Sequence, residues 1–300
     1  MSASWLMLSA SLLFAAMGVC VKYASTAYSA GEIVLYRSVL GFLLMLVAMR
    51  WQRVDWRTPV PLMHLGRCVG GITALCLWFY SIAGLPLATA MTLNYMSSVW
   101  MALFLIGGAV LFGAARIDPR LVAAVLAGFV GVALVLRPNT DAQSWSHGLA
   151  GLISGVLAAM AYLQVTALGR SGEPEYRIVF YFSLGGLALG AVSMVVEGTG
   201  THTPWIVAQL VAIGVLATGA QVMLTRAFAI GHVMANAALQ YLGILWSFLF
   251  GALLFAEPVT AWALLGVALI IGAGMAATLL RTRVLPAALQ DARASVPSEL

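Results

Sequence analysis

Arg37 stands inside the apolar stretch Gly31–Met49, about seven residues from its start and so about 10 Å deep in a helix. A full charge at that depth is costly and faces a polar cavity or a partner. It can receive a substrate carboxylate. The structural alternative is an arginine that binds helix-end carbonyls or snorkels outward. A second polar signal follows: Asn236, Gln240, Gly243 and Ser247 recur at spacings of four, three and four, on one helical face. Ala90, Asn94, Ser97 and Met101 make a counterpart stripe. Small and polar stripes pack helices closely or line a wet cavity. The amides Asn94 and Gln240 are the members that would read a ligand.

Aromatic residues supply the third signal. Trp78, Tyr80, Tyr95, Trp100, Tyr162, Tyr241 and Trp246 cluster at mid-span depth, where an interfacial belt role is excluded. They suit a cavity for an aromatic or largely apolar solute, with cation–π contact to an ammonium group. Taken singly, each also fits core packing. With Arg37, Asn94 and Gln240 they form the expected substrate-binding set. Every Asp and Glu, from Glu32 to Glu299, lies in a loop, in the tail or near a span end, and His64, His147, His202 and His232 are peripheral too. A mid-membrane carboxylate relay for proton coupling is not visible. No catalytic constellation, nucleotide loop, metal cluster or cofactor motif is expected. Cys20, Cys68 and Cys76 read as core filler.

The elements that must position these residues are membrane spans. The chain is 62% hydrophobic and 8% charged, where a soluble domain carries roughly 45–50% and about 25%. Mean hydropathy is +1.00. A soluble enzyme, a nucleic-acid binder and a disordered chain are thereby excluded, and the lipid bilayer becomes the expected partner. Ten apolar stretches fit spans: Ser4–Tyr23, Gly31–Met49, Leu65–Gly84, Ala88–Phe112, Leu121–Leu136, Gly148–Leu168, Ile178–Val196, Pro204–Ala227, Val233–Phe255 and Trp262–Leu280. Such long runs predict helices, because each segment in lipid must satisfy its own backbone.

Lys and Arg set the orientation. With the N-terminus inside, twelve basic residues (Arg50, Arg53, Arg57, Arg67, Arg116, Arg120, Arg170, Arg177, Arg226, Arg281, Arg283, Arg293) face the cytoplasm. Three, Lys22, Arg37 and Arg137, face outward. Positive residues stay inside, which predicts both termini in the cytoplasm and explains the basic pI of about 9.4. A cleaved signal peptide is not expected after Met1-Ser2-Ala3-Ser4. Trp5, Trp51, Trp56, Trp145, Trp205 and Trp262 fall near span ends as belt anchors.

The two halves of the chain match. Ile33-Val34-Leu35-Tyr36-Arg37-Ser38-Val39-Leu40-Gly41 aligns with Ile178-Val179-Phe180-Tyr181-Phe182-Ser183-Leu184-Gly185-Gly186, identical at five positions. Leu93-Asn94-Tyr95-Met96-Ser97-Ser98-Val99-Trp100 aligns with Leu239-Gln240-Tyr241-Leu242-Gly243-Ile244-Leu245-Trp246, and Ala15-Ala16-Met17 with Ala158-Ala159-Met160. The offsets, 145, 146 and 143, are nearly constant. Chance likeness of Leu-rich helices explains scattered Leu matches, but not shared Tyr, Trp and Ser in register. The expected fold is an all-α integral membrane protein, ten transmembrane helices as two five-helix repeats around a central cavity. The units are 1–138 and 148–281, with a cytoplasmic tail at 282–300. Five is odd, so the second repeat is inverted, a recurrent plan of secondary transporters.

On these features the chain resembles the drug/metabolite transporter superfamily, specifically its EamA-type members, over about residues 4–281. The resemblance rests on the ten spans, on Arg37, on Leu224-Thr225-Arg226-Ala227-Phe228-Ala229 and on Gly251-Ala252-Leu253-Leu254-Phe255-Ala256-Glu257-Pro258. It rests also on Leu265-Gly266-Val267-Ala268-Leu269-Ile270-Ile271. Many members place a proline in the fourth and ninth spans, where Ser98 and Ile244 stand here, and the first repeat lacks an acid matching Glu257. The resemblance implies export of amino acids, aromatic and other apolar or small ones, across a bacterial-type inner membrane. Uptake of S-adenosylmethionine, riboflavin or another metabolite or drug is the alternative it leaves. Both repeats lie in one chain, so a monomer suffices. A membrane enzyme would need clustered acids, His or a nucleophile–base pair, which the sequence does not show.

Overall fold

The computed structural model describes residues 2–111, 119–136, 142–231, 236, 239–273 and 275–276. The readings made on Arg116, Arg137, His232, Arg281 and the tail 282–300 lie outside them. The described elements are helices: α1 (Ala3–Ala24), α2 (Ala30–Gln52), α3 (Pro61–Gly84), α4 (Leu87–Tyr95), α5 (Ser97–Leu111), α6 (Pro119–Leu136), α7 (Ala142–Arg170), α8 (Glu175–Glu197) and α9 (Pro204–Ile230). α10 (Leu242–Phe255) and α11 (Ala261–Ala273) are shorter and apolar. Six helices, α1, α2, α3, α7, α8 and α9, are long and apolar enough to cross a bilayer. The chain is a multi-pass membrane protein. Val47, Val192 and Val195 point outward where lipid covers them, and the six belt tryptophans are 47–84% exposed.

Helix starts follow local chemistry. Pro61 and Pro204 open α3 and α9, where a missing N–H costs nothing. Ser29 caps α2 by accepting the Glu32 N–H at 3.2 Å. The predicted fourth span, Ala88–Phe112, is not one straight helix. It divides into α4 and α5 at Met96, whose carbonyl accepts the N–H of Val99 at 2.9 Å and of Trp100 at 3.1 Å, a local tightening of the 3₁₀ kind. Tyr241 makes a similar turn before α10, its carbonyl accepting from Ile244 at 3.0 Å. Neither turn has proline. At the first of them α7 comes close: a Cβ on Gly155 would stand 2.7 Å from the Leu93 carbonyl.

Packing relies on small residues, as expected where lipid supplies no hydrophobic drive between helices. α1 packs on α9, α3 on α7 and α2 on α8, with α2 also on α9 and α8 on α3. Gly190 lies against Leu35, Gly186 against Ser38 and Gly41 against Ser183. Ascending numbers on α2 meet descending numbers on α8, so the two helices run antiparallel.

Two polar clusters mark opposite ends. At one, Glu173 accepts from Thr58 (2.8 Å), contacts His64 (3.1 Å) and pairs with Arg177 (3.1 Å). There Arg177 also donates to the Asp55 carbonyl at 2.8 Å. At the other, Glu257 pairs with Lys22 and accepts the Leu87 N–H at 2.9 Å, while Lys22 also donates to the Leu85 carbonyl. Glu32 accepts the Gly200 N–H there at 2.9 Å.

Candidate functional site

A cavity of about 40 Å³ lies between α1, α3, α4, α7, α8 and α9. Its walls carry Phe14, Arg67, Trp78, Asn94, Tyr162, Phe182 and Gln221, with Gly71, Ala74, Ala158 and Ala161 as the small residues that leave the space. A water needs roughly 10–15 Å³ of such volume, so the cavity holds a few waters. Its walls must part to admit a metabolite.

Phe182 organises the charge. The Arg67 guanidinium lies 4.2 Å from its ring centroid and that of Arg37 lies 5.3 Å from it. Both arginines are almost fully buried, 3% and 4% exposed. Among the described residues neither meets a carboxylate within ion-pair distance, and the Nε of each has no hydrogen-bond partner. Cation–π attraction offsets part of the desolvation cost. It does not supply a counter-charge. Arg67 folds back over Gly71 on its own helix, and a Cβ there would also stand 3.0 Å from Phe182 Cε2.

The structure distributes the ten expected residues over several places. Trp78, Asn94 and Tyr162 line the cavity, and Arg37 reaches its edge through Phe182. Asn94 donates to Ser154 Oγ at 3.0 Å, Tyr162 stacks on Phe228, and Trp78 sits edge-on to Phe14 with its Nε1 unpartnered. Tyr95, Gln240 and Tyr241 are buried at the two helix turns. Tyr95 lies against Gly243, and both amide atoms of Gln240 lack a partner. Trp100 is half-buried against Phe104 and Phe129, and Trp246 is half-buried on α10. Tyr80 is 40% exposed and stacks on His147 at the end of α3.

Two polar lining residues, Arg67 and Gln221, were not expected. The sequence reading begins the third span at Leu65 and counts Arg67 among the cytoplasmic-end charges. The helix instead begins at Pro61, which puts Arg67 about two turns inside. Proline at the first helical position was the available signal. Gln221 was the other omission. Thr218, Gln221 and Thr225 are spaced by three and four and all buried, a polar stripe of the same kind as that on the ninth span.

Known proteins resemble this chain along most of its length. The pseudopaline exporter CntI of Pseudomonas aeruginosa is 33% identical over 272 residues, covering 89% of this chain and 92% of its own. The riboflavin transporter of Rhizobium johnstonii is 30% identical over 224 residues, 73% of this chain and 70% of that one. A solved crystal structure shares the fold at a TM-score of 0.69 and 20% identity, over 94% of this chain and 98% of that chain. The model of the EamA-like transporter family matches residues 1–137. With this match and a relative so similar over nearly its whole length, the chain belongs to the EamA-like transporter family and is a membrane transporter.

Proposed function

We propose that this transporter is a secondary exporter of amino acids or similar carboxylate-bearing small metabolites, working by alternating access across a bacterial-type inner membrane. The observation that carries the reading is the pair of guanidiniums on Phe182 beside a cavity walled by Trp78, Tyr162 and the amides Asn94 and Gln221. A carboxylate is the natural counter-charge for a buried arginine. The aromatic walls suit an apolar side chain. Among the described residues no acid lines the cavity, so transport is uncoupled or weakly coupled to protons. Export of a metabolite by a relative supports the direction. Riboflavin transport by another keeps uptake of a different metabolite as the second reading.

The mechanism rests on ten spans arranged as inverted repeats, 1–138 and 148–281. Support comes from contacts between residues that the internal match equates. Ser38 corresponds to Ser183 and Gly41 to Gly186, and the contacts are Ser38 with Gly186 and Ser183 with Gly41. Arg37 and Phe182 correspond and lie against each other. Exchange of partners in this way is what a two-fold axis in the membrane plane produces. The α1–α9 and α3–α7 contacts exchange likewise. Polar clusters close both ends, one at Glu173 and one at Glu257, so rocking of one repeat on the other would open each end in turn. Both termini are cytoplasmic and one chain suffices.

Proteoliposomes loaded with Phe, Trp, Met, Thr, S-adenosylmethionine or riboflavin, with and without a pH gradient, test the proposal. Saturable amino-acid flux that ignores the gradient, and that falls at least tenfold in Arg37→Ala with normal insertion, is expected. Flux of S-adenosylmethionine or riboflavin alone would transfer the protein to the second reading.

A further inference from the structure

We infer that, among the carboxylate-bearing molecules this transporter accepts, the site prefers those with two anionic groups, one for Arg37 and one for Arg67. The inference rests on the transporter reading and deepens it. Two guanidiniums share the single ring of Phe182, at 5.3 and 4.2 Å, each about two turns inside its helix and without a carboxylate partner among the described residues. They come from different helices, α2 and α3, so neither is a duplicate of the other's role. Burying an ion without a partner is costly. Like charges this close also repel one another. A zwitterionic amino acid brings one carboxylate and an ammonium, which leaves the site with an excess of positive charge. A dicarboxylate neutralises it. The unpartnered Nε of each arginine is free to complete a bidentate grip on its own carboxylate. Trp78 and Tyr162 then take an apolar substituent between the two anchors.

The probes are 2-benzylsuccinate and 4-phenylbutanoate, which share a phenyl-bearing skeleton and differ by one carboxylate. Each is titrated into the full-length protein in nanodiscs at pH 7.5, with thermal stabilisation as the binding readout, and each is assayed for flux in proteoliposomes. Benzylsuccinate is expected to half-saturate at a concentration at least tenfold lower. In Arg67→Gln and in Arg37→Gln that preference shrinks to about threefold or less, because each variant keeps only one anchor. The ratio of the two ligands within one variant is independent of how much of that variant folds. Equal half-saturation by both probes in the wild type, or absence of benzylsuccinate binding, overturns the inference. So does a preference that both variants leave intact. If benzylsuccinate fails to bind while Phe or Met moves across the liposome, the dianion falls and the transporter stands. If benzylsuccinate binds with the expected preference and no compound moves, the two-anchor site stands and the transport reading falls.

Discussion

At the scale of single residues, the site depends on what a missing side chain leaves open. Gly71 lies one turn beyond Arg67 on α3, in the space that the Arg67 guanidinium occupies. A methyl there collides with a flexible side-chain end and with the edge of Phe182, so the helix survives and the charge moves. Gly71→Ala is therefore expected to keep wild-type expression and melting temperature while raising the KM for flux at least fivefold. Unchanged flux would show that the position of Arg67 is immaterial. Glu173, outside the spans, behaves differently. Burial pushes its carboxyl up, but hydrogen bonds from Thr58, His64 and Arg177 outweigh that and hold it below its ordinary value of 4.5. A depressed folded-state value means stability that is complete above the unfolded value and is lost as pH falls through the folded one. The melting temperature of the purified protein should drop as pH is taken below about 4.5. Glu173→Gln should lower it at pH 7 and flatten that part of the slope. An acid limb of equal steepness in the variant would place the lost stability elsewhere.

At the scale of elements, close helix approach carries the packing. On α8, Gly190 meets the backbone of Leu35, with a Cβ at 190 standing 2.8 Å from both its N and Cα. Backbone cannot rotate away as a side-chain tip does, so overpacking here costs on the order of 1–3 kcal/mol. Gly190→Ala should lower the melting temperature, and Gly190→Leu should abolish accumulation of folded protein. Normal thermal stability in both would mean that α2 and α8 are not in contact. The six long spans were legible in the sequence because an apolar run of helix length has few other solutions in lipid. Their ends were less legible. α3 gained a turn at Pro61 and α7 began at Ala142 rather than Gly148, since polar residues continue a helix once its apolar middle is anchored. The turn at Met96 could not be read at all, because no proline or glycine marks it in the sequence. Asn94, Trp78 and Tyr162 were legible as polar or aromatic residues at depth. Arg67 was not, because its depth depended on that added turn.

At the scale of the whole molecule, the two faces carry opposite charges at equivalent positions. Glu32 and Arg177 stand at the offset of 145 that the matched segments 33–41 and 178–186 set, and so do Asp55 and Gly200 beyond them. Glu32 accepts from the Gly200 N–H at one end, and Arg177 donates to the Asp55 carbonyl at the other. The same tie between a helix start and a loop is thus made twice, with acid and acceptor exchanged for base and donor. Duplication alone would leave like charges at both ends. In the proposed orientation, which follows the positive-inside rule, Arg177, with Arg53 and Arg57, faces the cytoplasm and Glu32 the outside. Labelling tests this orientation in a background where Cys20, Cys68 and Cys76 are replaced by Ala. Thr201 and Trp56 are exposed, beside Gly200 and Asp55 respectively. In intact cells a membrane-impermeant maleimide should modify Thr201→Cys and spare Trp56→Cys, which should react only after permeabilisation. The reverse pattern would invert the protein and turn the proposed export path around. Modification of both from outside would separate α2 from its antiparallel partner and remove the two-fold relation on which the proposed alternating access depends.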